Sequence, residues 1–443
     1  MEDKTQGEFV VFNVQMCKKL IFNGGCKIQI IILLYNIYNM NIWFSNSDNF
    51  TTWVNNGHQT NNNISTLIIK NREHIKYIKF FSSLLSLDCK LNKLNSFNNI
   101  FNYNTLLSID CANNYLTSLS GIEICINLKT LKCDDNLLTS LNGIENCINL
   151  TYLSLNNNKL TNLYGLKNCI KLKDINCNEN MLTNLYGIQN CLNLEQLNIE
   201  NNCLTSLQGL ENIHSLININ CMNNKINTLK GIEQCYNLKS LICINNKINS
   251  LLPITNCINI SLLFCDDNNI NSLQGLEKCT KLQKLHINNN NIANLQELKY
   301  CSKLIHLNCS HNSIESLLWL NDCIELQHFS CKHNNINSLS GLDNCVKLTQ
   351  LKCDYNNINS ILNLTNCVNL LIFECSHNHI NDLTYLKKCY NLQNVNCSYN
   401  NLTSINGLEN SDNSIQCLEY SNNNIPLSNI REILPHFTSI DLQ

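Results

Sequence analysis

From Leu84 onward one pattern of apolar and polar positions recurs along the chain. Leu84, Leu106, Leu128, Leu150, Leu172, Leu194, Leu216, Leu238, Ile260, Leu282, Leu304, Leu326, Leu348, Leu370 and Leu392 follow one another every 22 residues without a slip. A sixteenth unit begins at Ile415 after one inserted residue, and a half unit, Phe437-x-x-Ile440-x-Leu442, falls 22 residues further on. Each unit reads L-x-x-L-x-C-x-x-N-x-I-x-x-L-x-G-L-x-x-C-x-x, and positions below are numbered 1 to 22 from the leading Leu. Side chains alternate along a strand, so positions 4 and 6 share one face of a short strand and positions 2, 3, 5, 7 and 8 are expected on the other. One unit cannot bury a core, whereas a stack can. The pattern therefore predicts a pile of short parallel strands joined by turns.

Position 9 is Asn in all fifteen in-phase units: Asn92, Asn114, Asn136, Asn158, Asn180, Asn202, Asn224, Asn246, Asn268, Asn290, Asn312, Asn334, Asn356, Asn378 and Asn400. An amide side chain where a strand turns a corner can satisfy backbone groups, so this column predicts an internal ladder with a structural role. Two successive units, LKTLKCDDNLLTSLNGIENCIN over 128–149 and LTYLSLNNNKLTNLYGLKNCIK after it, carry a resemblance. The chain resembles a leucine-rich repeat protein, whose core is L-x-x-L-x-L-x-x-N/C-x-L. The unit length resembles the internalin-like and phosphatase-regulator-like subclass, and the resemblance covers about four-fifths of the chain. It implies an α/β repeat solenoid, a leucine-rich repeat arc with a parallel concave β-sheet and a convex side of turns or 3-10 segments.

Outside the repeat phase lie residues 1–63, expected to form a small β-rich N-terminal cap. Residues 64–83 read as a degenerate capping repeat, through Ile64-x-x-Leu67-x-Ile69. Residues 84–414 hold the fifteen repeats, and 415–443 the sixteenth with a C-terminal cap. In that cap Pro426 to Phe437 could form a short amphipathic helix. The apolar stretch Lys27 to Phe44 is broken by Asn36, Asn39 and Asn41. It starts too late for a signal peptide and is too interrupted for a spanning helix, so it reads as buried strands.

Composition alters this picture in two respects. Of 443 residues 44% are hydrophobic and 14% charged, with a net charge of −2, so disorder is not expected and no electrostatic footprint for nucleic acid is visible. The chain holds 87 Asn. The Asn outside position 9 read as codon composition, and in this the chain resembles the leucine-rich repeat proteins of giant DNA viruses and AT-rich protists. The 28 Cys are sorted by phase. Twelve occupy position 6, from Cys89 to Cys397, with Leu155, Ile199 and Ile287 as apolar exceptions. Twelve occupy position 20, from Cys125 to Cys389, with Ile213 as the clearest exception. A position that exchanges Cys for Leu or Ile is a small buried apolar position. Reduced core thiols are the reading, ahead of some disulfide pairing and of metal, since no C-x-x-C occurs. Free thiols in this number favour a reducing intracellular compartment, the cytoplasm or a host cytoplasm.

No phosphate loop, zinc-protease helix or nucleophile elbow is present, so no catalytic residue, metal or cofactor is assigned and no enzyme is expected. Acidic pairs such as Asp134/Asp135 and Asp266/Asp267 read as solvated strand ends. Two surface patches stand out. Position 8 gives His311, His333, Tyr355, His377 and Tyr399 in five successive units, with His306 and His328 at position 3 and His286 at position 5 nearby. Stacked rings with polar edges suit a protein interface, and equally suit cross-strand stacking that only stabilises the surface. The second patch is apolar: Ile242, Ile244, Leu262 and Phe264. The resemblance implies a non-enzymatic scaffold or regulatory subunit that binds an unidentified protein partner on its concave face; a monomer is expected, and the charge balance and the interrupted apolar stretch give no nucleic acid and no membrane. The alternatives are a surface or virion-associated adhesion or host-interaction protein, and a ubiquitin-ligase adaptor acting through the N-terminal region.

Overall fold

A computed structural model describes residues 83–97 and 104–435, together with residues 33–34, 40–44, 64–69 and 78. The rest of the N-terminal cap region and the half unit at Phe437–Leu442 lie outside the described residues. The chain divides into two compact units, Met1–Cys203 and Leu204–Gln443.

In the first unit, Leu33–Leu34 pairs antiparallel with Met40–Phe44, which runs parallel to Ile64–Ile69, itself parallel to Ser86–Asp88. The interrupted apolar stretch thus contributes strands. Ser86–Asp88, Ser108–Asp110, Thr130–Lys132, Tyr152–Ser154, Asp174–Asn176 and Gln196–Asn198 then pair in parallel, each residue facing the one 22 further on. The second unit repeats this from Asn218–Asn220 to Asn394–Asn396 and ends on Cys417–Glu419, its register moved by the single inserted residue. A helix, Leu427–Ile433, follows, with Ile430 and Leu434 buried.

Every repeat strand is three residues long, unit positions 3 to 5. Position 4 is buried, and positions 3 and 5 are mostly half-buried on the sheet face. Behind the sheet, positions 1, 4, 6, 11, 14, 17 and 20 fill the core, as in Leu128, Leu131, Cys133, Leu138, Leu141, Ile144 and Cys147. The fold is a leucine-rich repeat solenoid: parallel strands on one side, turns and 3-10 segments on the other, little helix.

The far side takes two forms, and the sequence selects between them at positions 16 and 18. Gly187 at position 16 has φ +117, a conformation in which an added Cβ would run into the carbonyl of Leu163. Its N–H donates to Gln189 Oε1 at position 18, 2.7 Å away. Gly165 occupies the same position but is followed by Lys167, which has no acceptor to offer, and that turn becomes the 3-10 segment Tyr164–Leu166. Units with Pro253, Trp319 or Asn363 at position 16 take the 3-10 form as well, over Leu252–Ile254, Leu318–Leu320 and Leu362–Leu364.

All 26 described cysteines are free thiols, and those of the two columns are buried. Burial pushes the Cys169 and Cys345 thiols up to about 12, so they remain protonated and act as small apolar groups. The Cys111 and Cys133 sulfurs approach to 3.0 Å.

The position 9 asparagines form a ladder of side-chain to backbone bonds. Asn136 Nδ2 donates to the carbonyls of Cys111, Cys133 and Asp134, and its Oδ1 accepts from the Leu116 N–H of the preceding turn. Asn334 repeats the set with Cys309, Cys331, Lys332 and Ile314. Some Asn outside position 9 also bond backbone groups. At position 22, Asn149, Asn193 and Asn259 donate to the position 21 carbonyl of the turn before, and at position 19 Asn168, Asn190 and Asn366 donate to its position 18 carbonyl. These loops carry carbonyls that no strand partner satisfies, and an amide one turn away reaches them.

Candidate functional site

The residues singled out on the surface all fall in the second unit, on the strands and on the loop that leaves them. Position 8 does not lie on the strand face. It sits three residues past the strand end, in the left-handed region, in turn after turn: φ is 57 at Asn113, 53 at Asp267, 53 at His311, 56 at Tyr355 and 54 at Tyr399. Strand alternation therefore does not describe it. Inter-turn backbone pairing continues through it, with His333 N–H donating to the Asp354 carbonyl at 2.9 Å. The left-handed turn aims the position 8 side chain outward, along the edge of the sheet.

Here His311, His333, Tyr355, His377 and Tyr399 form one continuous stack. Ring centroids are 4.2, 4.2, 4.1 and 4.1 Å apart, with interplanar angles of 11 to 15°. Tyr355 and Tyr399 remain 45% and 48% exposed, so the ring edges are open to solvent. Burial and the neighbouring His311 hold the His333 imidazole below its ordinary value, against the pull of Asp354.

His306 and His328 make a separate stack at position 3, 4.4 Å apart and parallel to within 1°, with His328 Nδ1 3.2 Å from Gln350 Oε1. His286 joins neither. Its ring lies 4.3 Å from that of Phe264, so the histidine set and the apolar patch meet. Ile242, Phe264 and His286 form one cross-strand column at position 5, with Leu262 beside it at position 3 and Ile244 at position 7. All four apolar residues are half-buried. Burial lowers the pKa of both His286 and His306. Lys284 adds to this at both, while Asp266, 3.8 Å from His286, opposes it there.

Sequence reasoning missed three features. Lys332 bridges Asp354 and Glu374, and Lys352 pairs with Glu374 at 2.8 Å, giving a charge network at positions 5 and 7 of three units that also carry the ring column. Opposite charges in the same column of successive units were its signal. The acid of each Asp pair that stands at position 7 is not a solvated end: Asp134 and Asp266 accept the N–H of Asn156 and Asn288 one turn on, each at 2.8 Å. Position 21 presents exposed apolar side chains, Ile126, Ile148, Ile170 and Leu192 in the first unit and Ile324, Val346 and Val368 in the second. Among the described residues no three metal-ligating side chains come together, and no helix is long and apolar enough to cross a membrane.

No family model and no curated protein matches the sequence. Solved structures do match in fold. A leucine-rich repeat protein of Leptospira interrogans superposes with a TM-score of 0.71 at 25% identity, over 83% of this chain and 98% of that one. An internalin of Listeria monocytogenes gives 0.59 at 25% identity, over 65% and 85%. The functional domain of InlJ from the same bacterium, described as including a cysteine ladder, gives 0.56 at 23% identity, over 72% and 74%.

Proposed function

We propose that the protein is a non-enzymatic scaffold that takes a partner protein on the sheet face and adjoining edge of its second unit. The observation that carries this reading is the ring column at position 8. A left-handed backbone costs an ordinary side chain about 1–2 kcal/mol, and Asn and Asp escape most of that, as does His in part. Tyr355 and Tyr399 do not. Ring stacking returns roughly 0.5–1.5 kcal/mol per pair, so the column is close to neutral in stability against the Asn found elsewhere at this position. Stability alone gives no reason for five consecutive rings, whereas an exposed aromatic edge beside a charge network has the composition of a binding surface. Repeat solenoids present such extended surfaces generally. The same reading takes the column thiols as reduced and the protein as working in a reducing compartment.

The test is a crosslinked capture from reducing lysate with wild type beside a variant carrying Asn at 311, 333, 355, 377 and 399. Asn is the commonest residue of this column outside the run, so the variant should retain its circular dichroism and melting temperature. A partner held by wild type and lost by the folded variant supports the reading. Equal capture by both would reduce the column to surface stacking.

A further inference from the structure

Beside the ring column, the strand face holds a depression of about 260 Å³, room for roughly eight waters at about 30 Å³ each. His286, His306, Asn308, His328, Gln350 and Lys352 are among its lining residues. No carboxylate and no thiol lines it. Across the four units from 282 to 348, positions 2, 3 and 5 carry two Lys and three His and not one Asp or Glu. Acids stand only outside its margins, Asp266 against His286 on one side and Glu374 paired with Lys352 on the other. In a chain of net charge −2 this is a local concentration of cationic and neutral polar side chains with no anionic group among them.

We infer that this depression is an oxyanion subsite that receives a phosphomonoester carried on a side chain of the protein partner. The phosphoryl group fits better than a carboxylate. It offers three strong acceptor oxygens and close to two charges, and donors reach the depression from four successive strands. The parallel His306 and His328 rings, 4.4 Å apart, disfavour charging both in the empty site, because like charges repel at that separation. An oxyanion placed over their edges reverses that balance and draws protons onto the rings. Binding is therefore coupled to proton uptake and strengthens toward pH 6. The charged groups facing the pair are Lys284 and His286 from the preceding strand and Lys352, with Glu374 behind it, from the strands that follow. The assignment to a protein-borne group rests on the scaffold reading above, whereas the oxyanion site does not.

The experiment is calorimetric titration of the full chain at pH 6 and pH 8 with inorganic phosphate, and with a peptide bearing one phosphoserine beside its unphosphorylated twin. Phosphate should bind about tenfold or more tightly at pH 6 than at pH 8, and His306→Gln with His328→Gln should abolish that difference. Tyr164→Asn, on an exposed side chain of the first unit, should leave it intact. The imidazole proton resonances of His306, held low in the empty site, should shift to a higher apparent pKa with phosphate. Absence of phosphate binding in wild type at pH 6, or binding indifferent to pH and to the double variant, overturns the site. Phosphate binding with no gain from the phosphopeptide over its twin overturns the protein-borne assignment alone.

Discussion

The same loop position is furnished differently in the two units. In the first it holds Leu91, Asn113, Asp135, Asn157, Glu179 and Asn201, and in the second it changes from Asn223, Asn245, Asp267 and Asn289 to five rings. The backbone does not notice: φ is 53 at Asp135 and 52 at His333. What changes is how neighbouring side chains hold each other. Asn157 Nδ2 donates to Asp135 Oδ1 at 2.8 Å and Asn289 to Asp267 at 2.7 Å, while His333 and Tyr355 meet ring on ring. One scaffold geometry therefore accepts a hydrogen-bonded column or an aromatic one. The difference lies in what is shown to solvent, which is where a binding surface separates from a merely stable one.

The largest effect should come where the units are alike. Asn136→Ala in the first and Asn334→Ala in the second each remove four bonds and strand buried backbone groups. Each should cost about 2–4 kcal/mol by denaturant unfolding. Similar losses in both units are expected; a loss confined to one would mean that the ladder is not a shared device.

A smaller effect should separate them. Asn157→Tyr places a ring in the left-handed turn with no ring above or below and should cost about 1–2 kcal/mol. Tyr355→Asn removes strain and two stacks together and should change stability by less than about 1 kcal/mol. Equal costs for both, measured by thermal unfolding, would refute the compensation of strain by stacking.

The smallest effect concerns acid. His286, His306 and His333 are held below the ordinary imidazole value near 6.5 in the folded state. The unfolded chain then binds more protons as pH falls below that value, so stability is full above it and declines through the window down to the lowered folded values. The described residues of the first unit contain no His. Hydrogen exchange at pH 7 and pH 5 should therefore show protection falling in the strands 284–330 and not in 130–176. A uniform change would assign the acid response to carboxylates instead.

Much of this was legible in one dimension. The interval of 22, the phase of Leu, Cys and Asn, and the succession of His and Tyr in one column needed only counting, because a stack of identical turns turns sequence phase into spatial adjacency. Phase says which residues are neighbours and not which way they point. Strand alternation was carried too far along the loop, so position 8 was placed on the sheet face. The roles of Asn168 and Asn149 were invisible because their acceptors are backbone carbonyls, which every sequence has.

The 22-residue phase was enough to set the solenoid, its register, its buried thiol columns and the aromatic run. Each follows from side-chain chemistry repeated at a fixed interval. Three further outcomes came from the packing of turns: the aromatic run stands in left-handed turns, Phe264 and His286 join the apolar and histidine patches, and no carboxylate lines the depression beside them. Those outcomes depend on how backbone torsions aim side chains across adjacent turns, and torsion is set by hydrogen bonds between turns that no single unit contains.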